Sequence, residues 1–313
     1  MATRSEPQST RIPGVGTLKI PLRRSDLLLA LVAFVQIGLG VETLLAHLIS
    51  GSVKPGESIP IVFGPAAGLC LLIAGAIRVR RGTNTLSSLI VIAVAAASVV
   101  VGVVGSAFHW SRIQPAVPGL GAQWDWLVFA PPVAGPLSFA GVGLLAIIAV
   151  LEDTRPESGR LTLPGILTFN TPIPQTRQFL WLIAFGLYAA TLSAFLDHGR
   201  TNYENIWVWT PVVLGVFGAV ATTLMALYHR HTPADWFFFF VIMLLMIGIG
   251  VLGLGLHLNA DLPEGGETIV VERLIRGAPV MAPMLFAIMG TFGVITMVGA
   301  ETDEGRIPDA PAE

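Results

Sequence analysis

The chain has 313 residues, of which 53% are hydrophobic and only 12% charged, with a mean hydropathy of +0.74. So little charge excludes a soluble domain of this length, and a formal net charge of −2 offers no basic surface for nucleic acid. The lone cysteine, Cys70, excludes an intrachain disulfide. An integral membrane protein is expected, with the lipid bilayer as its main partner.

Residues 1–25 form a polar tail carrying Arg4, Arg11, Lys19, Arg23 and Arg24. The tail has no short apolar core ahead of a small-residue cleavage site, so no signal peptide is expected. Apolar runs long enough to cross a hydrocarbon layer of ~30 Å follow at 26–49, 59–78, 87–109, 127–151, 179–198, 208–228, 236–258 and 278–299. They are continuously apolar and do not alternate, which argues for helices and against a barrel. The expected fold is an all-α polytopic membrane protein with eight transmembrane helices.

Thirteen of the eighteen basic residues fall on one side of this topology. They are the five of the tail, Arg78, Arg80, Arg81, Arg155, Arg160, Arg177, Arg230 and Arg306. The positive-inside rule then places both termini in the cytoplasm of a multi-pass plasma-membrane protein. Trp110, Trp124, Trp126, Trp207 and Trp209 gather at the outer boundary, and Trp181 and Trp236 mark the inner one.

Residues 28–69 align without a gap onto 179–220, matching Leu29 with Leu180, Phe34 with Phe185, His47 with His198, Pro60 with Pro211 and Gly64 with Gly215. After small shifts His109 falls on His257, and Pro132, Pro136, Ala140 and Gly143 fall on Pro279, Pro283, Ala287 and Gly290. The expected organisation is a cytoplasmic tail at 1–25, a four-helix repeat at 26–151, a cytoplasmic linker at 152–177, a second repeat at 178–300 and a tail at 301–313. Because each unit has an even number of helices, the repeats are parallel, related by an axis along the membrane normal.

Within the repeats, Gly102, Gly105 and His109 recur as Gly250, Gly253 and His257 at identical spacing. These positions lie at i, i+3 and i+7, on one helix face with small residues below the imidazole. A looser form, Gly40-Thr43-His47 and Thr191-Ala194-His198, ends two more runs. All four histidines fall in one outer layer. The prolines of the even-numbered helices read as shapers of first helical turns, where a missing N–H has no partner to lose. His229 and His231 align with Arg78 and Arg80 and read as residues of the cytoplasmic boundary.

Neutral imidazole is a ligand for haem iron, copper and zinc. Paired histidines above small residues suit a flat macrocycle ligated from both sides, so the expected cofactor is haem b, held by His47 with His109 and by His198 with His257. Gly102, Gly105, Gly250 and Gly253 would cradle it. Copper or zinc on the same histidines is the alternative metal reading. The structural alternative is that small residues let helices approach closely. Glu42, buried five residues before His47, suits proton transfer, and its counterpart is Ser193.

Two four-helix halves with one histidine pair per half near the outer face resemble the layout of haem A synthase, a membrane enzyme that oxidises a haem methyl group. That family sets its histidines at the outer starts of even-numbered helices in a Glu-x-x-x-His-Arg motif, whereas here they end odd-numbered ones. The resemblance is one of architecture, which does not fix a function. Bis-histidine membrane cytochromes are the broader comparison. The functional expectation is membrane electron transfer with a quinone or an extracytoplasmic redox partner. The alternatives are a small-solute or proton-coupled transporter, or a structural membrane protein without cofactor. No reaction is assigned. The segment Glu267–Arg273 is expected to form a short strand or an interfacial cap over the histidines.

Overall fold

Apolar runs without water to satisfy their backbone fold into helices, and their ends are set where capping chemistry appears. The computed structural model describes residues 8–12, 16–20, 22–49, 51–111, 128–129, 131–154, 157–228, 230–262 and 270–298. Among the described residues six helices are long and apolar enough to cross a membrane. They are α1 (Arg24–Leu48), α2 (Pro55–Arg81), α3 (Thr85–Ser111), α5 (Gln175–Gly199), α6 (Trp209–Leu227, preceded by a 3-10 turn at Ile206–Val208) and α7 (Pro233–Asp261).

The fourth and eighth apolar runs give shorter helices, α4 (Ala134–Val150, 17 residues) and α9 (Met284–Thr296, 13 residues). Proline is the physical reason. Pro132 and Pro136, like Pro279 and Pro283, supply no N–H, so the regular ladder starts late. The turns Gly135 N to Pro132 O and Ala282 N to Pro279 O continue the coil ahead of each.

Helix starts follow local chemistry. In α2, Pro55 takes the first position and the Lys54 N–H donates to Glu57 Oε2 at 2.8 Å. In α7, Thr232 and Asp235 form a reciprocal capping box followed by Pro233. Gly82 ends α2 at φ 73°, a conformation that other residues adopt only with strain.

Two small sheets lie outside the helices. Gln8–Ile12 (β1) and Gly16–Ile20 (β2) form an antiparallel hairpin within the N-terminal tail. Within the 152–177 linker, Glu152–Asp153 (β3), Arg160–Leu163 (β4) and Leu167–Asn170 (β5) form an antiparallel sheet in that order. Of the outer cap expected at Glu267–Arg273, residues 263–269 lie outside the described residues, and Val271–Arg276 form a short helix, α8, not a strand.

Helices α1, α2, α3 and α4 close one four-membered ring, with contacts α1 to α2, α2 to α3, α3 to α4 and α4 to α1. Helices α5, α6, α7 and α9 close a second ring with the corresponding contacts. The rings meet through α4 against α5 and α9 against α1. The core therefore centres on α1, α4, α5 and α9, where Leu28, Leu29, Ile183, Leu187, Ala146 and Phe292 are fully buried. Apolar side chains of the other helices, such as Val62, Phe108, Phe217 and Phe238, stay exposed, as a lipid-facing surface requires.

At the end where α1 begins, charge is buried with partners. Arg78, 1% exposed, donates from Nε to Asp26 Oδ1 at 3.1 Å and from Nη1 to Val150 O at 3.4 Å. Arg23 reaches Asp26 at 3.0 Å and Glu152 at 2.8 Å. This network ties α1, α2 and the start of the small sheet together.

Candidate functional site

His47, His109 and His198 stand in the last turns of α1, α3 and α5, and His257 in the last turns of α7. Since α1 and α3 sit diagonally in one ring, as α5 and α7 do in the other, each diagonal carries one histidine pair. The His47 and His109 ring centroids are 6.1 Å apart with an interplanar angle of 61°. Those of His198 and His257 are 6.4 Å apart at 86°. The pairs brought together are the two that the spacing pointed to, and all four side chains are half-buried.

The orientation of three of these rings follows from their neighbours. His47 Nδ1 lies 2.7 Å from Thr43 O, His109 Nδ1 2.9 Å from Pro132 O, and His257 Nδ1 2.8 Å from Pro279 O. A carbonyl oxygen only accepts, so Nδ1 carries a hydrogen, and in the neutral ring the lone pair is then on Nε2. That is the tautomer of a histidine prepared to ligate through Nε2, with the backbone orienting the ring. His198 differs: its Nδ1 is buried and without a hydrogen-bond partner among the described residues.

The carbonyls are themselves held. Ser106 donates to Val133 O at 2.7 Å, next to Pro132. In the second ring, Asp261, four residues after His257, accepts from the Ala278 N–H at 2.8 Å, next to Pro279. Asp261 escaped the sequence reading although its i+4 spacing from His257 was visible. Its importance lies in a contact with a segment that the sequence could not place.

The glycines serve a different neighbour from the one expected of a cofactor cradle. A Cβ at Gly102 would fall 2.5 Å from Ala140 N and 2.9 Å from Pro136 O, and one at Gly250 would fall 2.5 Å from Ala287 N and 2.9 Å from Pro283 O. Gly105 and Gly253 likewise face Pro136 and Pro283, at 2.9 and 2.7 Å. The strip below each imidazole is thus covered by α4 or α9. Its absent side chains bring those helices, with the Pro132 and Pro279 carbonyls, up to the histidines. Pro132 and Pro279 therefore also supply the acceptors that orient His109 and His257.

Glu42 is half-buried near the end of α1 and feels the charge of Asp197 on α5, across the two rings. Asp197 accepts from Ser193 Oγ at 3.2 Å and lies 3.8 Å from Arg200 Nη2. Ser193, the counterpart of Glu42, thus serves the other carboxylate. Deeper, Gln36 donates to Ser98 across the first ring. Gln36 is 1% exposed, and its Oε1 has no partner among the described residues.

Among the described residues no three or more His, Cys, Asp or Glu side chains gather as a metal site. His231 packs on Trp236 with ring centroids 5.2 Å apart, remote from the four histidines, and His229 lies outside the described residues. Trp124 and Trp126 lie outside them too. Compared with protein-family models, curated proteins and solved structures, the chain has no match.

Proposed function

We propose that this is a multi-pass plasma-membrane cytochrome, a tandem duplication of a four-helix unit with eight spans and cytoplasmic termini, holding one haem b per half. The haem of the first half would be ligated by His47 and His109, and that of the second by His198 and His257. The single observation that carries this reading is the pair of facing imidazoles in each ring, three of the four with Nδ1 on a backbone carbonyl.

The two imidazole pairs fit the group's need for protein ligands, whereas the glycine strip expected to cradle it is covered by α4 and α9. Two imidazoles bonded end-on to one metal at about 2.0–2.1 Å have ring centroids roughly 6 Å apart, close to both separations here. A pair of imidazoles alone leaves copper or zinc short of ligands, whereas haem brings four nitrogens of its own and needs only two from the protein. Bound there, haem would supply one-electron redox chemistry. The chain's own part is to hold the four rings in two pairs, to orient three of them through the Thr43, Pro132 and Pro279 carbonyls, and to keep lipid on the outer surfaces.

The duplication is supported by matched contacts and by the matched residues. A Cβ at Gly143 would fall 2.7 Å from Ala95 O and one at Gly290 2.6 Å from Met243 O, and these are equivalent positions in the two alignments. An electron would pass between the halves at one level of the membrane, to or from a quinone or an extracytoplasmic protein. Glu42, half-buried beside that level, is the proposed proton-transfer group.

The test is an absorption spectrum of the detergent-purified protein from a haem-replete host, oxidised and then reduced with dithionite. A Soret band that shifts and sharpens on reduction supports the reading, and a colourless protein overturns it. A second reading, transport of a small solute or proton, draws on the buried Gln36–Ser98 contact at mid-depth. It predicts solute-dependent uptake by proteoliposomes that is lost in Gln36→Leu.

A further inference from the structure

At the opposite end of the second ring, the last turns of α6 and the first turns of α7 enclose a groove of about 410 Å³. Its walls include Ala221, Leu224, Phe238 and Ile242, and its mouth holds Tyr228, Arg230, His231 and Asp235. Each wall runs seven residues from mouth to deep end, or roughly 10 Å along a helix. Leu224 and Phe238 are exposed, so the groove opens sideways onto the surface that lipid covers. The mouth lies in the turn between two spans, at the depth of the headgroups.

Arg230, Tyr228 and Asp235 at the mouth are short of partners among the described residues. Neither the Arg230 guanidinium nor the Tyr228 hydroxyl has a hydrogen-bond partner among the described residues. Asp235 uses Oδ2 for the Thr232 N–H and hydroxyl, at 2.8 and 2.9 Å, and its Oδ1 is left over. Beside them Trp236, 3% exposed and packed on His231, keeps a buried Nε1 without an acceptor among the described residues. One fixed cation, one fixed anion and a hydroxyl above an apolar slot form a specific demand.

We propose that this groove binds one phospholipid whose headgroup carries both a phosphate and a primary ammonium, that is, a phosphoethanolamine lipid. The phosphate pairs with Arg230 and accepts from Tyr228, because a guanidinium presents donors in the geometry that phosphate oxygens match. The ammonium donates to Asp235, and an acyl chain lies along Leu224, Phe238 and Ile242. A purely anionic headgroup would meet the Asp235 carboxylate unpaired, and a quaternary ammonium has no hydrogen to donate to it. The site is independent of the histidine pairs and of any cofactor there.

The experiment is native mass spectrometry of the full chain, delipidated in mild detergent and offered equimolar phosphatidylethanolamine, phosphatidylglycerol and phosphatidylcholine. Retention of one phosphatidylethanolamine about tenfold above the other two is expected, a preference of about 1.4 kcal/mol. Arg230→Gln is expected to abolish that preference, Tyr228→Phe to weaken it, and Asp235→Asn to shift it toward phosphatidylglycerol. Equal retention of the three lipids, phosphatidylglycerol favoured by the unmodified chain, or undiminished phosphatidylethanolamine on Arg230→Gln would each overturn the proposal. Tyr228→Phe removes one oxygen from an exposed side chain, so it reads the site even if a charge variant folds poorly.

Discussion

Arg24 and Gln175, the first residues of α1 and α5, meet across the two rings, the guanidinium Nη2 donating to the amide Oε1 at 2.9 Å. The contact is part of an exchange. Arg24 also reaches Thr296 O, the last residue of α9, at 3.4 Å, while Gln175 donates to Ile148 O and Leu151 O at the end of α4, at 2.8 Å each. Each ring's first helix thus donates to carbonyls at the end of the other ring's last helix, where the helical ladder runs out of donors. Arg24→Ala is expected to cost about 2 kcal/mol, the value of a charged hydrogen bond plus an amide left short of its donor. The measurement is the midpoint of denaturant unfolding in a fixed detergent, and a midpoint unchanged by Arg24→Ala would remove this joint from the account.

The sequence made the class, the helices and the pairing of the histidines legible, because hydropathy, spacing and self-similarity are local quantities. Six helices meet the length for a span; α4 and α9 fall short of the eight expected spans through proline at their starts, an effect the apolar run hides. The role of the glycines was not legible. Gly102 below His109 suits a flat ligand or a neighbouring backbone equally, and that the backbone at Ala140 lies against it is visible only in three dimensions. Asp261 and Ser106 were missed for the same reason: what they hold lies across a loop.

Gly102→Ala and Gly250→Ala are each expected to destabilise the protein by about 1–3 kcal/mol, since a methyl group would be driven into the backbone of α4 or α9. Gly141→Ala and Gly248→Ala make the control, as nothing lies within 4 Å of a Cβ at either site. There the lost backbone freedom is expected to leave stability unchanged or raise it by about 0.5–1 kcal/mol. Thermal midpoints of the four variants check this, and equal behaviour across them would show that packing at the glycine strip is looser than described.

Gln36 and Ser98 face each other in the first ring, where the second ring has Leu187 and Met246 at the matching positions. Ser98→Ala is expected to cost about 1–3 kcal/mol, because the buried amide loses the one partner it has among the described residues. Gln36→Leu with Ser98→Met copies the second ring and is expected to come close to the unmodified protein, since removing both polar partners leaves nothing unsatisfied. Chemical unfolding of the single and double variants distinguishes these outcomes. If the double variant proves as unstable as Ser98→Ala, the pair owes its place to shape and not to hydrogen bonding.

The two histidine pairs lie on separate diagonals, and that separation makes the haem assignment divisible. His47→Ala or His109→Ala is expected to lower haem per chain by half, because the second pair and its carbonyl supports are untouched. His198→Ala is expected to do the same, and His47→Ala combined with His198→Ala to remove all haem. His231→Ala, at the other end of the bundle, serves as the control and should retain the full content. Haem content by pyridine haemochrome against protein concentration reads each outcome. One haem lost only when residues of both pairs are changed together would mean a single site shared between the rings, and the pairing 47 with 109 and 198 with 257 would have to be abandoned. Asp261→Asn keeps the side-chain shape but weakens the hold on Ala278, so it is expected to broaden the spectrum of the second haem alone while leaving its amount unchanged.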